Sequence, residues 1–93
     1  MVKHIVLFTL KEGVDQEEAV KLMASVLDPL VGRIPGLLHL EVGQSFAGAD
    51  VALYSEFESR RALENYADHP LHVQAKDCFW HLLGGRMAAD YEC

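Results

Sequence analysis

Val2-Lys-His-Ile-Val-Leu-Phe-Thr-Leu10 is the stretch on which the fold turns. It is dense in β-branched and large apolar residues and reads as a strand. Alternation sends Ile5 and Leu7 to one face and His4, Val6, Phe8 and Leu10 to the other. Both faces are apolar, so both have to be covered. One layer of helices covers one of them. The other face needs a second surface, and a second copy of the chain is the simplest source of one.

Moving outward, the apolar run from Ile5 to Leu10 is too short for the apolar region of a secretion signal, and charged Lys11 and Glu12 follow it. No run approaches the roughly 18 apolar residues that span a bilayer. The expectation is a soluble, cytoplasmic protein. Downstream, Asp15 and Glu18 have capping-box spacing. Ala19, Leu22, Met23, Val26, Leu27 and Leu30 then recur at helical period, and Pro29 predicts an end or kink near Asp28. Ile34-Pro35-Gly36 is a turn. A second strand runs over 37–43, with Leu38, Leu40 and Val42 opposite His39 and Glu41. A loop over 44–50 leads to a third strand over 51–57, and the pair reads as an antiparallel hairpin.

Ser59 is placed to cap a short helix carrying Leu63 and Tyr66. His69-Pro70 stops that helix, and Pro70 suits the first turn of another. This next helix is expected to reach about Leu83, where Gly84-Gly85 would end it. Phe79 and Trp80 are expected to pack it against the sheet. A last strand is expected over 86–92. The order β-α-β-β-α-α-β is an α+β, ferredoxin-like pattern: a four-stranded antiparallel sheet with helices on one face, at 93 residues one domain. The helix-free face predicts a homodimer, a dimeric α/β barrel.

Eight Lys and Arg stand against fourteen Asp and Glu, for a net charge of −6. That balance argues against nucleic acid, whose recognition rests on Lys and Arg neutralising phosphates, and against an anionic membrane surface. The two cysteines, Cys78 and Cys93, make neither a disulfide framework nor a four-ligand zinc site. His69 and His72 are the one closely spaced histidine pair, short of the three or four ligands zinc takes. No metal and no cofactor are expected. There is no P-loop, GxGxxG or GxSxG.

Val2-Lys-His-Ile-Val-Leu-Phe8, Ile34-Pro-Gly-Leu37, Glu41-Val-Gly43, Tyr54-Ser-Glu-Phe-Glu-Ser59, Tyr66-x-x-His69-Pro70-x-His72-Val73 and Asp90-Tyr91 occur in this order and at these separations. Together they resemble the stress-responsive A/B-barrel (Dabb) family along nearly the whole chain. The resemblance implies a ferredoxin-like dimer whose two sheets close into a barrel. One plant branch of that family contains polyketide cyclases that close a ring by aldol condensation without a cofactor. Their cavity is lined by a strand-1 His and by the Tyr and second His of the Tyr-x-x-His-Pro-x-His segment. Carried over by motif, these are His4, Tyr66 and His72, with His69 as a neighbour.

Such chemistry needs a base near neutral pKa beside a carbonyl and a donor for the developing oxyanion. Imidazole and phenol suit those roles. A ligand cavity between sheet and helices would add Val6, Phe8, Leu27 and Leu53 to its lining. The chain departs from the cyclase pattern in two ways. Its first helix offers Met23, Ala24 and Leu27 in place of aromatics, and Lys76 stands where a cyclase is small and uncharged. Two functions follow as expectations: a homodimer binding a small organic ligand, or a cofactor-free lyase or cyclase using His4, Tyr66 and His72. A cofactor-independent monooxygenase of similar fold is a weaker third, for which no motif is present.

Overall fold

A computed structural model describes residues 1–93. The elements are β1 (Val2–Leu10), α1 (Gln16–Leu27), β2 (Leu37–Gln44), β3 (Val51–Phe57), α2 (Arg60–Asp68), α3 (Pro70–Phe79) and β4 (Leu83–Glu92), with 3-10 turns at Asp28–Leu30 and Trp80–Leu82. The sheet has four strands in the order β2-β3-β1-β4, and each neighbouring pair is antiparallel. β1 is therefore central, flanked by β3 and β4. The three helices lie on one face.

Local chemistry sets these boundaries. The Asp15 carboxylate accepts the Glu18 amide at 2.9 Å and opens α1. The Ser59 hydroxyl accepts the Ala62 amide at 3.1 Å and opens α2. Gly36 adopts φ +84°, and a Cβ there would stand 2.5 Å from the Ala62 Cβ. Only glycine makes that turn while letting the start of α2 come so close. Met23 and Leu27 of α1 are fully buried against the helix-facing side of the sheet, where Val6, Phe8, Val51, Leu53 and Phe57 supply the floor. On β1, Val2, His4, Val6 and Phe8 are buried while Leu7 on the opposite face is 40% exposed. This is the expected division of the strand.

Three expectations need correction. Alternation along 37–43 predicts Leu38 on one face with Leu40 and Val42. The β2–β3 register instead shifts between Leu37 and His39, which puts Leu37 in the core and leaves Leu38 at 47% exposure. A bulge inserts one residue and turns the strand's first side chains over. The last helix stops at Phe79 rather than near Leu83, because a 3-10 turn intervenes and β4 starts at Leu83. Gly84 and Gly85 thus lie in the strand. A Cβ on Gly84 would meet the Leu10 carbonyl oxygen at 3.4 Å, so the pair serves close approach of β4 to the irregular end of β1. Finally, Phe79 does pack on the sheet, edge-on to Phe8 with centroids 6.2 Å apart, but Trp80 is half-exposed.

Candidate functional site

β1 carries His4 on the helix-facing side, opposite Ser55 on β3 and Asp90 on β4. Directly opposed strand residues project to the same face, so Asp90 stands beside His4, and its carboxylate binds the imidazole Nδ1. A carboxylate only accepts, so Nδ1 carries the proton. Nε2 has no partner within the chain. His4 is 9% exposed.

The break between α2 and α3 sets the other two residues. His69 is extended (φ −65°, ψ 134°), and its Nδ1 accepts the Leu71 amide at 3.1 Å while Pro70 occupies the first turn of α3. The chain turns there, and the His72 ring comes to stack on Tyr66, with centroids 3.9 Å apart and planes inclined by 27°. His72 Nδ1 lies 3.2 Å from the Ala67 carbonyl oxygen. A carbonyl accepts only, so this nitrogen donates, and in the neutral ring Nε2 carries the lone pair. Burial, with Lys76 and His4 adding to it, holds the His72 pKa below its ordinary value. Tyr66 is buried, and desolvation raises its pKa, which keeps the phenol protonated. Its hydroxyl is sealed from solvent and has no hydrogen-bond partner.

These elements enclose a cleft of about 300 Å3. His4, Val6, Phe8, Leu27 and Leu53 form its inner wall, with Leu63, Tyr66 and Ala67 from α2 and His72, Lys76 and Phe79 from α3 around it. Trp80 and Arg86 complete the lining. The structure thus brings His4, Tyr66 and His72 to one cleft together with Val6, Phe8, Leu27 and Leu53. His69 is not part of this lining. Its imidazole is engaged as the cap of α3, and for that reason it is turned to the helix start and not to a ligand.

Sequence reasoning missed Asp90 and Arg86 as neighbours of the site. Both become visible only through the β1–β4 register, which sets Asp90 against His4 and Arg86 against Phe8. Lys76 stood out as a charge in an unusual place, and its ammonium lies 5.6 Å from the Trp80 ring centroid. No three His, Cys, Asp or Glu side chains gather as a metal site would require, and no helix is long and apolar enough to cross a membrane.

Comparison with known proteins places this architecture. An uncharacterized protein of Streptomyces coelicolor is 33% identical over 98 residues, covering 99% of each chain. A dimeric protein of unknown function and ferredoxin-like fold from Bacteroides fragilis superposes with a TM-score of 0.89 at 32% identity, over 99% of this chain and 95% of that one. The hydroxynitrile lyase of Passiflora edulis shares the fold at 18% identity and a TM-score of 0.79, over 97% of this chain and 90% of that one. The stress responsive A/B barrel domain matches residues 2–93, and the chain belongs to that family.

Proposed function

We propose that this protein binds a small organic molecule in the cleft between sheet and helices, as a homodimer paired through the helix-free face. The cleft itself carries the reading: an apolar inner wall with two imidazole rings beside it is a site that grips a hydrocarbon body and meets a polar group. Pairing is supported by Leu7, Met87 and Tyr91 at 40%, 71% and 48% exposure on one face of the sheet, a patch that association removes from water. The Bacteroides fragilis relative, at 32% identity, is described as dimeric. Light scattering should give twice the chain mass, and Met87→Asp should shift it toward one. A monomer mass for the unaltered protein at micromolar concentration overturns the pairing.

A second reading is favoured by one observation. The Asp90 carboxylate holds a proton of His4 on Nδ1 while the His4 ring lines the cleft, an arrangement acid–base catalysis uses. In this reading the protein is a cofactor-free lyase or cyclase acting on a carbonyl compound. His4 removes a proton beside the carbonyl, and neutral His72 stands by to accept or return one. Tyr66 is a poorer oxyanion donor than its chemical type suggests, because its hydroxyl is sealed from solvent. The test is base chemistry without a presumed reaction. Acetophenone in deuterated buffer should exchange its methyl protons faster with the protein than without, and His4→Gln should abolish the difference. No acceleration, or acceleration that survives His4→Gln, removes the catalytic reading and leaves the binding one.

A further inference from the structure

The charge of the cleft does not match the charge of the protein. The chain has fourteen acidic residues against eight Lys and Arg, yet no carboxylate side chain lines the cleft, while Lys76 and Arg86 both do. A second groove, which shares Leu63 with the cleft, has the opposite character, with Glu64, Asp90 and Glu92 beside Arg60. Acidic residues are thus plentiful near the site and kept out of it. Neither Lys76 nor Arg86 takes part in an ion pair, whereas Arg60 is bound to Glu92 at 2.6 Å. The Lys76 ammonium sits against the Trp80 indole, 5.6 Å from the ring centroid, which restrains it on the cleft wall.

The two cations come from different elements, α3 and β4, and meet at a cleft whose inner wall is Val6, Phe8 and Leu27. An aromatic ring, a cation restrained by it and a second unpaired cation make a receptor for a flat molecule with a negative end. Charge-assisted hydrogen bonds from ammonium and guanidinium are stronger than neutral ones and select an anion over its neutral isostere.

We infer that the ligand of this cleft is a flat, largely apolar molecule bearing an anionic head such as a carboxylate, which Lys76 and Arg86 receive while its body lies in the apolar part of the cleft beside Trp80. This rests on the cleft being the binding site and adds the class of molecule that fills it. The same cations repel cationic ligands, so an amine of the same shape is excluded.

Trp80 is the only tryptophan of the chain, so its indole N–H is a single reporter at the cleft. The probes are naphthalene-2-carboxylate and naphthalene-2-carboxamide, alike in shape and different in charge. Titration of the 15N-labelled protein should move the Trp80 indole signal with both, and the carboxylate should bind about tenfold more tightly or better. In the Lys76→Met, Arg86→Gln double variant the two affinities should converge on that of the amide. Retained amide binding shows that the cleft is still formed. Equal affinities in the unaltered protein, or a carboxylate preference that survives the double variant, overturn the inference and leave the binding site standing. If neither compound shifts the Trp80 signal, the cleft is not a site for such ligands and the binding reading falls with the inference.

Discussion

β3 and β4 both flank β1, and the same face of the sheet has opposite fates along them. Val51, Leu53, Ser55 and Phe57 of β3 are at most 5% exposed beneath the helices. Arg86, Ala88, Asp90 and Glu92 of β4 occupy equivalent positions and are all exposed. The residues explain the difference. β3 presents apolar side chains at every second position apart from Ser55, whose hydroxyl donates to the His4 carbonyl oxygen at 3.3 Å. β4 presents charges there apart from Ala88, and no helix can cover them cheaply. The helical layer therefore closes over β3 and stops short of β4, and the cleft opens along the line where cover ends. One side of β1 holds the fold together and the other leaves room for chemistry.

The largest effect expected from breaking this contrast is on the closed side. Phe57 is fully buried, with its ring 4.9 Å from that of Tyr66 and 6.2 Å from that of His4. Phe57→Ala should cost about 3–5 kcal/mol, the transfer of the ring plus the cavity left behind. Ala88→Ser on the open side should change stability by no more than about 0.5 kcal/mol. Urea denaturation of the two variants measures the asymmetry directly. Comparable losses would mean that β4 is covered after all, by a partner or by its own chain.

How much of this was legible follows the same line. The closed side was readable because its signals are local. The alternation of β1 and β3, the Asp15 and Ser59 caps and the Pro70 break each show within a few residues. Tyr66 and His72 could be brought together from the break between their helices. β4 was obscured because Gly84-Gly85 has two meanings. It ends helices in general, and here it lets a strand lie against the Leu10 carbonyl. That choice depends on a neighbour more than seventy residues earlier, which no window of local sequence contains. Asp90 and Arg86 share the problem, since each enters the site only through its pairing with β1. The bulge at Leu37–His39 is likewise a property of two strands, and either leucine at 37 or 38 satisfies an apolar pattern.

A change of intermediate size is expected where the two sides meet. Asp90→Asn keeps the shape of the side chain beside His4 and removes its charge. Because Asp90 is half-exposed, the loss in stability should be modest, about 1 kcal/mol. The sharper readout is the tautomer. In the unaltered protein the 15N signal of His4 Nδ1 should be that of a protonated nitrogen. In the variant the asparagine amide can donate to Nδ1, and the proton should redistribute toward Nε2. Any acceleration of acetophenone exchange should fall with it. An unchanged His4 spectrum would mean that the carboxylate does not set the tautomer, and the division between structural and chemical sides of β1 would lose its main support.

The smallest effect expected is in the pH dependence of stability, and its sign separates a half-buried imidazole on the cleft from one free in water. Burial lowers the His72 pKa below the 6.5 of an unperturbed imidazole, so the unfolded chain takes up a proton at higher pH than the folded one. Between the folded value and 6.5 the unfolded state binds more protons, and stability in that window rises with pH. The contribution of His72 is thus complete above 6.5 and lost as pH falls through its folded pKa. His72→Gln removes this titration while retaining a polar side chain. Urea midpoints of the unaltered protein should therefore fall between pH 7.5 and pH 5 by more than those of the variant. Equal slopes would show that His72 titrates as it would in water. The cleft would then be wetter than its lining implies, and a neutral His72 lone pair could not be counted among the groups that meet a ligand there.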